Sequence, residues 1–515
     1  MFQGATRKLA TLLAGLSISC AIATRAAAGP GGVLKLEVVD RDTKQPLACR
    51  MHLTNAAKKA LKAPKVPFYH DHFVFDGSIA IKLPKGEYDF DIERGPEYLV
   101  RHGHFTMDDF SDDTQTVDLG RFVNMAADGW WSGDLDVQRP AKDLQLLMRA
   151  DDLHFVQLVT WPGGKSLLAK SILKGPVVQF DETYFLHLAA GVDARAGGQL
   201  LFFNTAEPLD LAGADSEFPP QQASIETAKR QTGAWVDARN AFGWDLPIWI
   251  ASGGLDSIEL AGSHLGRKSA AANESGGKPR DKLLFPDPTG VGRWNERIYY
   301  HLLNCGLHVV PTAGSGSGTA ANPLGYNRMY VHVDGPISYD KWWDGARAGR
   351  VVVTNGPIIR PNVEGELPGH VFHAPEGSRV ELEVGLSLST RDPVAYLEII
   401  KDGTLAQQYR LDEWAQMGGK LPPLVFDESG WFVIRAVADV PSTYRFASTA
   451  PYYVEIGGQP RISRSSVQFF VDWLAERTAA VEARVSDERQ RKAVLQFHEK
   501  AHKFWQDLLA RSNAR

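Results

Sequence analysis

Asp134, Asp136 and Gln138 occupy alternate positions of Gly133-Asp134-Leu135-Asp136-Val137-Gln138-Arg139-Pro140. In an extended strand their three oxygen-bearing side chains share one face, and Leu135 and Val137 take the other. With Asp193, Asp237 and His264 they could form a site of mostly oxygen donors, which suits Mg, Mn or Ca better than Zn. An ion there would acidify a water and polarise a scissile group, with Asp193 or His264 as the proton acceptor. The competing reading leaves the same residues as a metal-free polar cluster that satisfies its own hydrogen bonds.

Other motifs carry less chemistry. Gly314-Ser315-Gly316-Ser317-Gly318 could present backbone N–H groups to a ligand, with Ser315, Ser317 and Arg139 as substrate contacts. It lacks both the nucleophile-elbow spacing and a Walker-type ending. Gly163-Gly164-Lys165-Ser166 has that ending, but Val159 stands where the first P-loop glycine belongs. His70-Asp71-His72 and His102-Gly103-His104 are read as solvated histidines rather than ligands. Nine of the 13 Trp lie between Trp130 and Trp343, mostly as buried packing, with Trp161 a candidate stacking surface for a sugar or aromatic ligand.

The elements that must position these residues follow from periodicity. Alternation in Val33-Leu34-Lys35-Leu36-Glu37-Val38 and turn-rich spacing predict an N-terminal β-sandwich over 30–124. From 126 to 361, apolar runs such as Phe155-Val156-Gln157-Leu158-Val159 alternate with helix-like pieces at 140–153 and 224–232, predicting an α/β barrel or layered sheet. Strand alternation returns over 362–460, predicting a second β-sandwich. A helical tail is expected over 461–515, with a capping box at Ser465 and Gln468, a break near Ser486 and an apolar stripe of Val494, Phe497, Ala501, Phe504 and Leu508. Residues 268–282 read as an exposed loop.

The blocks 133–140, Leu147-Met148-Arg149-Ala150-Asp151-Asp152-Leu153, Trp244-Asp245-Leu246-Pro247-Ile248-Trp249 and Asn355-Gly356-Pro357 resemble the exported CehA/McbA-type metallohydrolases of the PHP superfamily. The resemblance implies a distorted (β/α)7 barrel over 126–361, flanked by the two sandwiches. It also implies metal-dependent hydrolysis of phosphate esters, carbamates or amides. Against that pattern the chain has Asp136 and Gln138 in place of His-x-His, and Thr160-Trp161-Pro162 in place of an Asp-His pair. Asp193 fits the bridging acid, Arg239-Asn240 replaces a His-Pro motif, and Ser315-Gly316-Ser317-Gly318 replaces Ser-Asp-x-His. Two functions therefore stand open: a divergent hydrolase, or a non-catalytic relative whose cleft binds a carbohydrate or an exported protein.

The 515-residue chain is 44% hydrophobic and 23% charged, enough to fill two to four cores. Arg7 and Lys8, the apolar run to Thr24 and Ala26-Ala27-Ala28 read as an export signal over 1–28, giving a periplasmic or secreted protein in preference to a lipid-anchored one. Its removal would take the net charge from -5 to -8 and leave no basic cluster, which argues against nucleic acid as a partner. No transmembrane segment is expected in the mature chain. Cys49 and Cys305, far apart in sequence, give no disulfide framework.

Overall fold

Along Gly32–Asp40, Leu34, Leu36 and Val38 are buried while Lys35 and Glu37 are exposed, the period-two pattern of a strand with one face on a core. The computed structural model describes residues 31–163 and 175–515; the export-signal segment and Gly164-Lys165-Ser166 lie outside them. Gly32–Asp40 is flanked by Ser78–Leu83 and Asp112–Leu119 in a three-stranded sheet. A five-stranded sheet built around Ala48–Asn55, His72–Asp76 and Gly86–Glu93 shares its core, which includes Cys49, Met51, Phe73 and Ile92.

The expected (β/α)7 barrel between two separate sandwiches is not what the chain builds. Strand makes up 38% of the structure and helix 22%, and a single 16-stranded sheet dominates. The sheet runs from Val310–Ala313 through Ser257–Ala261, Trp235–Ala238, Gly198–Phe203, Tyr184–Arg195 and Phe155–Pro162 to Trp130–Val137. It then continues through Arg328–His332, Val351–Thr354 and Phe446–Thr449 into Gly430–Ala438, Val394–Lys401 and Thr404–Tyr409. Position 361 is therefore not a sheet boundary.

Connection length is the physical reason for the missing barrel. Only Ala196 and Gly197 join Tyr184–Arg195 to Gly198–Phe203, and the two strands pair antiparallel. A parallel crossover needs on the order of a dozen residues, usually a helix. Gly198–Phe203 pairs antiparallel with Trp235–Ala238 as well, although Gln221–Lys229 lies between them. Trp130–Val137 takes Arg328–His332 antiparallel on its free side, which carries the sheet into the C-terminal strands.

Arg464–Arg484 and Glu488–Ala510 form two long C-terminal helices. The first is capped by Ser463, whose hydroxyl accepts from the Ser466 N–H; Gln468 instead donates to Asp472, so the Ser465 capping box does not form. The helices pack on the central unit: the indoles of Trp473 and Trp505 donate to the carbonyls of Trp244 at 3.1 Å and Pro247 at 2.9 Å. Arg477 binds Asp245 and Glu217 in the same contact.

The 268–282 loop is tied down rather than free, because the buried Arg280 pairs with Glu274 and Asp287. Cys49 and Cys305 are both buried, unpaired thiols. No helix among the described residues is long and apolar enough to cross a membrane.

Candidate functional site

Asp134 and Asp136, on Trp130–Val137, are fully buried. Three consecutive strands from the far end of the same sheet bring further polar groups to them. Trp235–Ala238 contributes Asp237, Ser257–Ala261 contributes Ser257 and Glu259, and Val310–Ala313 contributes Thr312. The 314–318 loop closes over the group. Asp134 accepts from the Ser315 N–H at 2.9 Å, the Ser315 hydroxyl at 2.5 Å and the Gly325 N–H at 2.8 Å. A side chain at Gly314 would collide with Glu259 and Asp136, so the loop can approach this closely only with glycine there.

The cation in this cluster is Arg239. Its Nε donates to Asp136 Oδ2 at 2.6 Å, a terminal nitrogen contacts the same oxygen, and the other terminal nitrogen donates to Gln199 at 2.5 Å. Asp237 accepts from Thr312 at 2.6 Å and from Ser257, whose hydroxyl in turn accepts from the Trp235 indole at 2.6 Å. Burial pushes Asp134 and Asp237 up to about 7, with Asp136 adding repulsion and the hydroxyl donors opposing the rise. Burial raises Glu259 well above its ordinary value too, Asp136 and Asp237 adding to it, and neither of its oxygens has a hydrogen-bond partner. One arginine thus neutralises Asp136 while the other three carboxyls are driven toward their neutral forms.

The remaining candidates scatter. Asp193 lies under Gln221–Lys229, bound by Arg195 at 2.7 and 2.5 Å and by the Ser224 hydroxyl at 3.3 Å, and shares no partner with Asp136. Gln138 lies just past the strand end, its N–H donating to the Ser317 carbonyl at 2.8 Å. Trp161 is a core residue whose indole donates to Ala189 and fills the space over Gly191, so it offers no stacking surface. Arg139 donates to the Ser317 hydroxyl at 2.9 Å and lies 3.9 Å over the Tyr69 ring. Ser315 and Ser317 are buried and committed to internal bonds.

His264 does reach a cavity. About 500 Å³ opens beside it, lined also by His70, Asp71, Ser263, Lys268 and Asn322. Its buried Nε2 has no partner, and burial, with Arg239 nearby, lowers the imidazole to about 3. The ring is neutral at physiological pH.

A metal at Asp134, Asp136 and Asp237 does not fit these residues. Asp134 is saturated by donors, and Arg239 takes the charge of Asp136. Among the described residues, the grouping of three or more His, Cys, Asp or Glu ligand atoms within 4.8 Å of one another is His52, Asp71 and His72. There both imidazole Nδ1 atoms face one Asp71 oxygen, at 3.3 and 3.1 Å, and Lys268 takes the other at 2.6 Å. The Lys268 ammonium thus sits on the Asp71 oxygen that the imidazoles leave free. His72 is buried rather than solvated, and its partner is His52 instead of the sequence neighbour His70.

Arg239 and Glu259 were not singled out as site residues from sequence. The readable signal for Glu259 is a lone acid inside the apolar strand Ser257–Ala261, every residue of which is buried. Arg239 stands where the resemblance called for a His-Pro motif, two residues after Asp237.

No family model matches the chain, and no match is found among the curated proteins. Solved structures give weak similarities. The fibronectin(III)-like modules of Clostridium thermocellum CbhA align at 12% identity with a TM-score of 0.13, covering 25% of this chain and 62% of that one. The chain thus spans less than two thirds of that structure's length. The N-terminal four Ig domains of Dscam1 isoforms 4.4 and 8.4 align at 9% identity and a TM-score of 0.13, covering 83% and 84% of this chain and 98% and 100% of theirs. Similarity at this level carries neither fold nor function across.

Proposed function

We propose that the chain is an exported binding protein that takes a small polar ligand in the cavity beside His264 and does not hydrolyse through a bound metal. The observation that carries this reading is Arg239 bonded to Asp136 inside the carboxylate cluster. A fixed guanidinium there repels a divalent ion and takes one of the two Asp136 oxygens. The motif resemblance to CehA/McbA-type hydrolases supplies the contrast: the imidazole positions are replaced, and an arginine now supplies the positive charge.

The ligand chemistry follows from the lining. His264, Ser263, Lys268 and Asp71 supply polar groups, Ala270, Ala271, Ala320, Ala321 and Pro323 supply apolar surface, and no Trp, Tyr or Phe contributes to the cavity wall. A small polar molecule with a hydroxyl or amide for these groups and an aliphatic face for the alanines matches such a wall.

One observation favours hydrolysis as a second reading. Asp134 and Asp237, near 7, have the protonation behaviour of acid–base groups. Against it, both carboxyls are fully buried behind the 314–318 loop. Elemental analysis after loading with Zn, Mn, Mg or Ca decides between the two, paired with thermal-shift screening against sugars and amides. The binding reading expects no stoichiometric metal and a shift lost in His264→Ala. One metal per chain that disappears in Asp136→Asn, together with esterase or phosphoesterase turnover, would overturn it.

A further inference from the structure

Five arginines converge on a second cavity, of about 510 Å³, at the junction of the N-terminal sheets with the central and C-terminal strands. Arg50 comes from Ala48–Asn55, Arg267 and Arg328 from the central part of the chain, and Arg391 and Arg445 from the C-terminal part. The volume falls within the roughly 300–1,000 Å³ of ordinary small-molecule sites.

The guanidinium groups are not equally partnered. Arg50 pairs with Asp151 and, at 2.7 Å, with Glu93. Arg445 holds Asp392 at 2.7 Å, and Arg328 donates to the carbonyls of Gly325 at 2.6 Å and Asp151 at 3.2 Å. Arg267 must share Glu93 with Arg50. Asp91, also on the wall, is taken by His102 at 2.6 Å. Arg391 is left with a 3.5 Å bond to the Tyr98 carbonyl and lies 3.9 Å from the Glu93 oxygen that Arg50 already holds. Among the described residues it has no hydrogen-bonded carboxylate. Burial, with Arg50 and Arg267 close by, lowers its pKa, and Glu93 and Asp392 oppose the fall.

We infer that this cavity binds the oxyanion group of a small molecule, a phosphate or a carboxylate, through the free fork of Arg391 with Arg267 beside it. A guanidinium presents parallel N–H donors that match such a group in two-point contact, which a chloride or a neutral sugar cannot reproduce. An anion would also relieve the repulsion among the arginines. The chain's overall charge of -5 sets this patch apart as a local exception. This inference does not rest on the His264 cavity, and it would stand for a binding protein or an enzyme alike.

The test is isothermal titration of the full chain with inorganic phosphate, sulfate and citrate, against chloride and glucose at matched ionic strength. Saturable binding of phosphate or citrate is expected, the stronger of the two naming the oxyanion class. Arg391→Gln should weaken it by about tenfold with little change in thermal midpoint, since the side chain has few internal bonds to lose. Leu99 is 47% exposed and lies on the cavity wall, so Leu99→Glu should fold normally and weaken binding by placing a carboxylate there. This second variant decides the matter if Arg391→Gln does not fold. No saturable anion binding up to millimolar concentration, or binding unchanged in both variants, overturns the inference.

Discussion

Arg239 and Asp136 meet with Nε 2.6 Å from Oδ2, while Asp136 Oδ1, equally buried, has no hydrogen-bond partner. The arginine therefore compensates the charge of Asp136 without satisfying both oxygens. Removing it would leave a buried carboxylate alone beside Asp237 and Glu259. Arg239→Gln is expected to destabilise the fold by about 3–5 kcal/mol, as when one partner of a buried pair is lost. The double variant with Asp136→Asn should lose less than the sum of the single losses. Urea denaturation of the three variants measures both.

The cluster also sets a pH dependence. Asp237 titrates at about 7 when folded, against an ordinary value of 3.8. The folded state thus binds more protons than the unfolded chain between those values. The stabilisation is fully present below about pH 4 and is lost as pH rises through 7. Asp237→Asn should flatten the stability profile between pH 5 and 7 by up to about 1.4 kcal/mol per pH unit. Denaturation midpoints across that range test it; an unchanged slope would mean Asp237 stays ionised.

Gly314→Ala should be destabilising, by about 1–3 kcal/mol, because its Cβ would run into the Glu259 carboxyl and Asp136. Calorimetry of this variant reports how rigidly the loop is held against the cluster. A neutral result would show that the loop can lift.

His264→Leu is expected to leave stability within about 1 kcal/mol of the parent. The imidazole Nε2 is buried without a partner, so an apolar side chain of similar volume loses no bond there. Thermal denaturation is the check, and a loss of several degrees would reveal a hydrogen bond the ring makes in solution.

Arg477→Met should loosen the helical pair. Arg477 is buried and binds Asp245 at 2.7 Å and Glu217 at 3.0 Å, so its loss strands two carboxylates under Arg464–Arg484. A cost of about 3 kcal/mol is expected. Limited proteolysis should then cut near 485–487, between the two helices.

The shared face of Asp134 and Asp136 could be read from alternation alone, because it depends only on neighbours in sequence. The fate of Asp193 was also local: Arg195, two residues on along the same strand, is its ion-pair partner. What stayed hidden was set at long range. Nothing near Asp136 in sequence announces Arg239, 103 positions away, or shows that Gly191 leaves space for the Trp161 ring. The sheet was misread for a smaller reason. Apolar strands and helix-like segments do alternate over 126–361, but the two-residue link Ala196-Gly197 is a hairpin signal that forbids a crossover there.

The continuity of the 16-stranded sheet bears on how such a chain can be inherited. Val351–Thr354 pairs with Phe446–Thr449, so a gene cut at position 361 would strip one strand of its neighbour and leave an open edge on each fragment. Segments 126–361 and 362–460 cannot be shuffled into other proteins as independent modules. Recombination that preserves folding must carry both together; the N-terminal part keeps its own two sheets, but its exchange would strand the buried Arg50 and Glu93, whose partners Asp151 and Arg267 belong to the central part.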